Sequence, residues 1–345
     1  MRIVIPIALF LLTTTYPAVA AHHGPYRILQ KIKIGGVGGF DYVTTDSTAR
    51  RLYVARSGKD NPRLEVFDLD NLKQVNEING ISAHGAVVDP ASHHGFASSK
   101  PITMFDSRSL AIIKAVAVDG NPDGLTSDPS NGHIYVFSHS APSITVISAN
   151  DGTVAGIVDL AAAPEQGVSD GNGHLYVDLE DKSAVGVVDT RALTVSARYP
   201  LSPMGGLPAG LGLDPIGRVL FVACRNPAAL VMLNADTGTL LGSIPIGAAN
   251  DGVVYNSTTH EAFASQGDGT LVVVKENTPT SFSLEQTLPT QSGAKTLALD
   301  DKTGHIFLIA AEYGPLPADA PPLSNGRISR GPLLPDSFTI LEVGR

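Results

Sequence analysis

Six ionisable side chains recur at one place in a repeated unit. Asp41, His84, Asp123, Glu165, Asp251 and Lys295, with Ala209 in the remaining place, each stand five residues before an Asp or Asn that ends a short run of small and branched residues. If the units are arranged in a circle, these positions face one axis. Four carboxylates gathered there repel one another, and a cation, protons or Lys295 must relieve them. Oxygen donors suit hard cations such as calcium, and His84 widens the choice towards transition metals. Asp41, Asp123, Glu165 and Asp251 are therefore candidate ligands of a divalent cation. In an enzyme, His84 would be the general base, a carboxylate with a raised pKa the general acid, and Lys295 or Arg327 the grip on a substrate carboxylate. The plainer alternative is a hydrated channel mouth.

The elements that must position these residues follow from the markers themselves. Asp46, Asp89, Asp128, Asp170, Asp214, Asn256 and Asp300 are separated by 43, 39, 42, 44, 42 and 44 residues. Propeller blades repeat at about 40–50 residues. After each marker comes a turn, then a β-branched and aromatic run such as Arg51-Leu-Tyr-Val-Ala or His174-Leu-Tyr-Val-Asp, a polar loop, and a second run such as Leu64-Glu-Val-Phe-Asp. A further Asp/Asn/Gly turn leads to a fourth run. No stretch has sustained helical periodicity. The fold class expected is all-β: a seven-bladed β-propeller with four antiparallel strands per blade. The blades fall at roughly 40–80, 81–120, 121–162, 163–203, 204–248, 249–292 and 293–345 plus 26–35. An orphan strand at 27–34 and a missing one after 337–343 predict that the N-terminal strand closes the last blade and hides two sheet edges.

Loops between second and third strands share the face of the ring. Arg56, His139 and Arg225 follow their strands directly and join the candidate ligand-binding set. The seventh such loop, 312–336, is long and proline-rich, and it brings Arg327 and Arg330 to the same face. Loops beyond about 12–15 residues are uncommon unless functional or disordered, so this one is a partial lid or a wrap over the final blade. His94, His133, His174 and His305 share a place at the opposite end of the blades and read as structural. Cys224, the sole cysteine, excludes an internal disulfide and reads as a packed side chain near the loop surface rather than a nucleophile.

The Tyr-Val after the turns, the Val-x-Asp of the third strands and Ile244-Pro-Ile-Gly-Ala248 resemble the YVTN repeat, and residues 26–345 look like a YncE-type, surface-layer-like propeller with lactonase-type propellers as neighbours. Phe96-Ala-Ser and Phe263-Ala-Ser depart from the pattern. The resemblance implies the fold and an exported protein, and leaves the activity open. DNA binding attributed to some members is not carried over, because a net charge of −9 opposes a nucleic-acid surface. The absence of Trp argues against WD-type, sialidase-type and Trp-docked quinoprotein blades.

Residues 1–20 read as a signal peptide: Arg2, an apolar run from Ile3 to Leu12 and Ala18-Val-Ala20 before the cleavage point. The apolar run is short for a bilayer, so no transmembrane anchor is expected, and residues 21–345 form one propeller domain, periplasmic or secreted and monomeric. Ala21-His22-His23 would then offer an amine and imidazole to copper. The function expected is an exported propeller that binds a polar small ligand, a cation or another exported protein at an acidic central pocket. The alternative is a lactonase-like hydrolase or a lyase acting on a sugar-acid-like substrate.

Overall fold

The computed structural model describes residues 24–320 and 325–345; the expected signal peptide, residues 1–20, and Ala21-His22-His23 lie outside the described residues. The seven markers set the repeat through one device. Each side chain accepts the backbone N–H two or three residues on and so tightens the first turn of its blade: Ala49 N to Asp46 at 2.8 Å, Ser92 N to Asp89 at 2.7 Å, Ser130 N to Asp128 at 3.0 Å, Asn172 N to Asp170 at 2.8 Å, Ile216 N to Asp214 at 3.0 Å, Thr258 N to Asn256 at 2.9 Å and Lys302 N to Asp300 at 3.3 Å. Asx turns of this kind need an Asp or Asn at the first position, which is why the spacing is visible in the sequence.

Between the turns, the described residues form seven four-stranded sheets. Blade 1 runs Gly39–Asp46, Arg51–Ser57, Arg63–Asp68 and Gln74–Asn79, and the next five repeat that order from Ala86–Asp89 to Ser281–Pro289. Second and third strands are buried on both faces because blades pack against each other on either side; fourth strands form the exposed outer edge. The core is accordingly a circle of interblade clusters, such as Tyr176, Val187, Leu213, Val222 and Val231 between blades 4 and 5. The inner strands come close enough that a Cβ on Gly210 would meet the Gly252 backbone at 2.9 Å.

Blade 7 is assembled from both ends of the chain. Arg27–Lys33 pairs antiparallel with Thr339–Gly344, from Arg27 opposite Gly344 to Lys33 opposite Thr339. Tyr26 locks the joint: its hydroxyl donates to Glu261 Oε2 at 2.5 Å, and Gln286 holds its backbone N–H and carbonyl, each at 2.8 Å. The architecture matches the sequence expectation, including the closure. Cys224 differs in one respect, being fully buried rather than near the loop surface, and burial pushes its thiol up to about 12.

Deleting residues 21–35 leaves the fully buried Thr339–Gly344 strand as an open edge. The melting temperature should fall by about 10 °C or more, read by circular dichroism. An unchanged melting temperature would show that the joint does not hold the ring.

Candidate functional site

The ring residues are placed by interruptions of the inner strands. Asp41, Asp123, Glu165, Ala209 and Asp251 all lie where the pairing of first and second strands shifts register: between Phe40 and Val43, Pro122 and Leu125, Pro164 and Gly167, Pro208 and Gly210, and Asn250 and Gly252. His84 and Lys295 stand two residues before their inner strands, Ala86–Asp89 and Leu297–Asp300. Bulges re-aim side chains out of the alternation of a strand. The repeated bulge turns one residue per blade towards the axis.

Ion pairs then link the blades. His84 Nδ1 lies 3.0 Å from Asp41 Oδ2 and 3.4 Å from Asp123 Oδ1. Lys295 Nζ donates to Asp41 Oδ1 at 2.9 Å and to Asp251 Oδ2. Blade 5, whose ring position is the uncharged Ala209, supplies Arg225 instead. Its Nη2 bonds Asp251 Oδ1, its Nη1 reaches Glu165 Oε1 at 3.1 Å and Glu180 Oε1 at 2.6 Å, and its Nε donates to the Asn250 carbonyl at 3.2 Å. His139 Nε2 lies 3.6 Å from Glu165 Oε1. Gln166 Nε2 crosses from blade 4 to the Asp251 carbonyl of blade 6 at 2.7 Å. The six ionisable ring residues therefore meet, as do His139, Arg225 and Arg327 from the wider set.

Arg56 does not meet them, which corrects the expectation. It is fully buried between blades, bonds Glu65 at 3.1 Å and the Gly35 carbonyl at 3.3 Å, and covers the Phe338 ring at 3.9 Å. The reason is register. Arg56 itself pairs with the inner strand, whereas His139 and Arg225 stand one past the residues that do, Ser138 and Cys224. Phe40 pairs with Arg56 as Pro208 pairs with Cys224, so Arg56 and the buried Cys224 are equivalents. A one-residue step moves a side chain to the other face of a strand. Glu180, one past the Leu179 that pairs with Pro164, shares the productive place with His139 and Arg225.

The long loop crosses the ring face. Ala249 N donates to the Gly326 carbonyl at 3.0 Å, Arg327 Nη2 lies 3.2 Å from Glu165 and 3.4 Å from Glu180, and Arg330 Nη2 donates to the Gly267 carbonyl at 2.7 Å. Among the described residues this loop is a strap from blade 7 to blades 4–6. Asp178, which the sequence reading passed over, lies fully buried in the same sector with both carboxylate oxygens unpartnered. Burial and then Glu165 push its carboxyl well above the usual range. An acid inside the otherwise apolar strand Leu175-Tyr-Val-Asp-Leu179 was the available signal.

Two groups of donors have the spacing of metal ligands: Asp41, His84 and Asp123, and Asp123, His139 and Glu165, with donor atoms within 4.8 Å of one another in each. Asp123 belongs to both, and its Oδ1 is buried without a hydrogen-bond partner. The ion-paired network holds five carboxylates (Asp41, Asp123, Glu165, Glu180 and Asp251) against three permanent cations, Arg225, Lys295 and Arg327. The expected crowding of acids is thus largely met from within the chain. The remaining imbalance equals two protonated imidazoles or one divalent cation.

The pKa directions follow from this geometry. Burial opposes ionisation of Asp41, but Lys295 and His84 outweigh it and hold the carboxyl at about 2. His139 and Arg225 likewise overcome burial and hold Glu165 at about 2. Asp123 has only the imidazoles as positive neighbours: burial, then Asp41, outweigh His84, and Glu165 adds to the rise, to about 6. His84 is raised by its bond to Asp41 and His139 by the neighbouring Glu165 carboxylate.

No protein-family model and no curated protein matches the chain. Solved structures do. One chain of the crystal structure of the mitotic checkpoint complex superposes with a TM-score of 0.71 at 11% identity, over 88% of this chain and 94% of that one. The likeness is one of fold, a seven-bladed propeller. No helix among the described residues is long and apolar enough to cross a membrane.

The signs of these shifts give a stability test. A raised carboxyl binds its proton more tightly in the folded chain, so Asp123 weakens the fold as pH rises from about 4 to about 6. Raised imidazoles contribute stability below about pH 6.5 that is lost as pH rises through their folded values. Depressed Asp41 and Glu165 contribute stability above about pH 4 that is lost as pH falls towards 2. In chelator, Asp123→Asn should therefore exceed wild type in unfolding free energy by about 1–3 kcal/mol near pH 7.5 and lose that advantage near pH 4. Equal stability at both pH values would contradict the assignment of Asp123 as the ring acid whose ionisation the fold opposes.

Proposed function

We propose that this is an exported binding propeller whose central face holds a divalent cation, and through it a polar ligand, in the sector of Asp123. The observation that carries the reading is the coincidence of two things in that sector. The network falls two positive charges short, and two imidazoles and three carboxylates stand there at ligand spacing around an unpartnered Asp123 oxygen. A donor set of this mixture suits a transition metal such as Mn2+ or Zn2+ better than calcium. Ligating imidazoles must be neutral, so the cation exchanges for protons and binds more weakly as pH falls. The YVTN-like repeats and the Arg2–Ala20 segment support the family resemblance and the export; a periplasmic or secreted monomer is part of the same proposal.

One arrangement favours an enzyme as the second reading. His84 Nδ1 is held by Asp41 while the ring stays half exposed, and Asp123 beside it has a carboxyl near 6. An oriented base next to an acid that titrates near neutrality is the pairing a hydrolase or lyase needs. The seven ring positions carry no Ser, Thr or Cys to pair with His84, which keeps binding ahead of turnover.

Calorimetric titration of residues 21–345 with Mn2+, Zn2+ and Ca2+ at about pH 7.5 should show one site, with Mn2+ or Zn2+ ahead of Ca2+. At a hundredfold excess over Kd the fold should gain about 2.7 kcal/mol. Asp123→Asn should weaken binding about tenfold or more while leaving the apo circular dichroism unchanged. Wild-type indifference to all three ions, or a mutant that binds as wild type, would reduce the ring to a hydrated channel mouth. Turnover of a lactone or uronate panel, abolished by His84→Ala, would move the assignment to the enzyme.

A further inference from the structure

Beneath the strap lies a cavity of about 180 Å3 lined by Arg225, Ala249, Asn250, Asp251, Lys295, Arg327, Ile328 and Arg330. Four cations and one carboxylate share its wall. Arg225 and Lys295 are held by the ring acids and Arg327 by Glu165 and Glu180. Arg330 differs. Among the described residues no carboxylate pairs with it; its Nη2 bonds only the Gly267 carbonyl, its guanidinium lies over the Tyr313 ring at 5.2 Å, and its Nε is buried without a hydrogen-bond partner. Tyr313 and the Tyr313–Leu333 bridge at the base of the strap fix that orientation.

We propose that this cavity is a binding subsite for a small oxyanion, a carboxylate or phosphate group, with Arg330 as its principal contact and Arg327 as the second. Arg330 is half-buried, but its Nε–H is buried and unsatisfied and no carboxylate among the described residues pairs with the guanidinium; an oxyanion in the cavity would supply both the charge and the hydrogen bond. The guanidinium fork suits planar carboxylate and tetrahedral phosphate alike. Arg327 is the exposed member of the wall and can turn from Glu165 to the ligand without opening the core. The acidic ring and the strap thus divide the face into a cation-binding half around Asp123 and an anion-binding half around Arg330. The strap is the part that makes the second half; without it only Arg225 and Lys295 remain, both already engaged.

The subsite rests on Arg330 and its cavity, not on a metal, so it is tested in chelator. Residues 21–345 are titrated calorimetrically with inorganic phosphate and, separately, with malonate at low ionic strength. Wild type should bind at least one; phosphate alone assigns a phosphoryl group, malonate alone a carboxylate, and both a general oxyanion site. Arg330→Gln should weaken that binding about tenfold or more, and Arg330→Lys should retain part of it. Ile328→Trp keeps every charge but fills the cavity, and should abolish binding. Arg27→Gln, on the exposed outer strand, should bind as wild type. Failure of wild type to bind either probe overturns the proposal, as does wild-type affinity in Arg330→Gln or in Ile328→Trp.

Discussion

A circle of seven sheets exists only if its last sheet meets its first, and in this chain the meeting depends on the hydrogen bonds between Arg27–Lys33 and Thr339–Gly344. Every other relation follows from that joint. It fixes the circumference, and so sets how near the inner strands approach and which side chains share the axis. Lys295 in blade 7 reaches Asp41 in blade 1 only because the seam lies within blade 7, between its third and fourth strands, and not between blades. The Thr296 hydroxyl donates to the Asp41 carbonyl at 2.5 Å across the same boundary. A looser circle would separate these pairs and leave their charges buried without partners, which is costly. Closure and the charged ring therefore support each other.

Within the circle, electrostatic balance decides what the face can do. Arg225 compensates for the missing ring charge of blade 5 by coming from the end of the neighbouring strand, and it joins three acids from blades 4 and 6. That makes most of the ring a finished structure, closed to further ions. Two places remain unfinished: Asp123 with its flanking imidazoles, which lacks positive charge, and Arg330 beneath the strap, which lacks negative charge. Glu165 lies between them, touching His139 on one side and Arg327 on the other. A ligand that carries both signs would meet both deficits at once.

Much of this was legible in the sequence because the relevant constraints are local. An Asx turn needs Asp or Asn at one position, so the blade period is written in seven residues. The ring position, a bulge in five blades and the approach to the inner strand in the other two, sits at a fixed distance from that turn, so a five-residue offset finds Asp41, His84, Asp123, Glu165, Asp251 and Lys295 without knowledge of the fold. What was hidden depends on neighbours distant in sequence. Arg56 and Arg225 both follow second strands, yet one residue of register puts Arg56 between blades against Phe338 and Arg225 on the axis. Local pattern does not show that Ala209 leaves a charge to be supplied, or that Glu180 shares the place of His139. Nor does it show that residues near 327 fold back over blades 4–6, because the strap is held by single bonds to backbone carbonyls such as that of Gly267 rather than by a repeated motif.

The central claim is that the charged ring is a binding site and not a filled channel mouth. Anomalous diffraction from crystals of residues 21–345 soaked in Mn2+ tests it most directly. The account predicts one strong peak in bonding contact with an Asp123 oxygen and with His84 or His139, and a ring otherwise paired as described. A ring free of anomalous density, with His84 still bonded to Asp41 and His139 still beside Glu165, would contradict it.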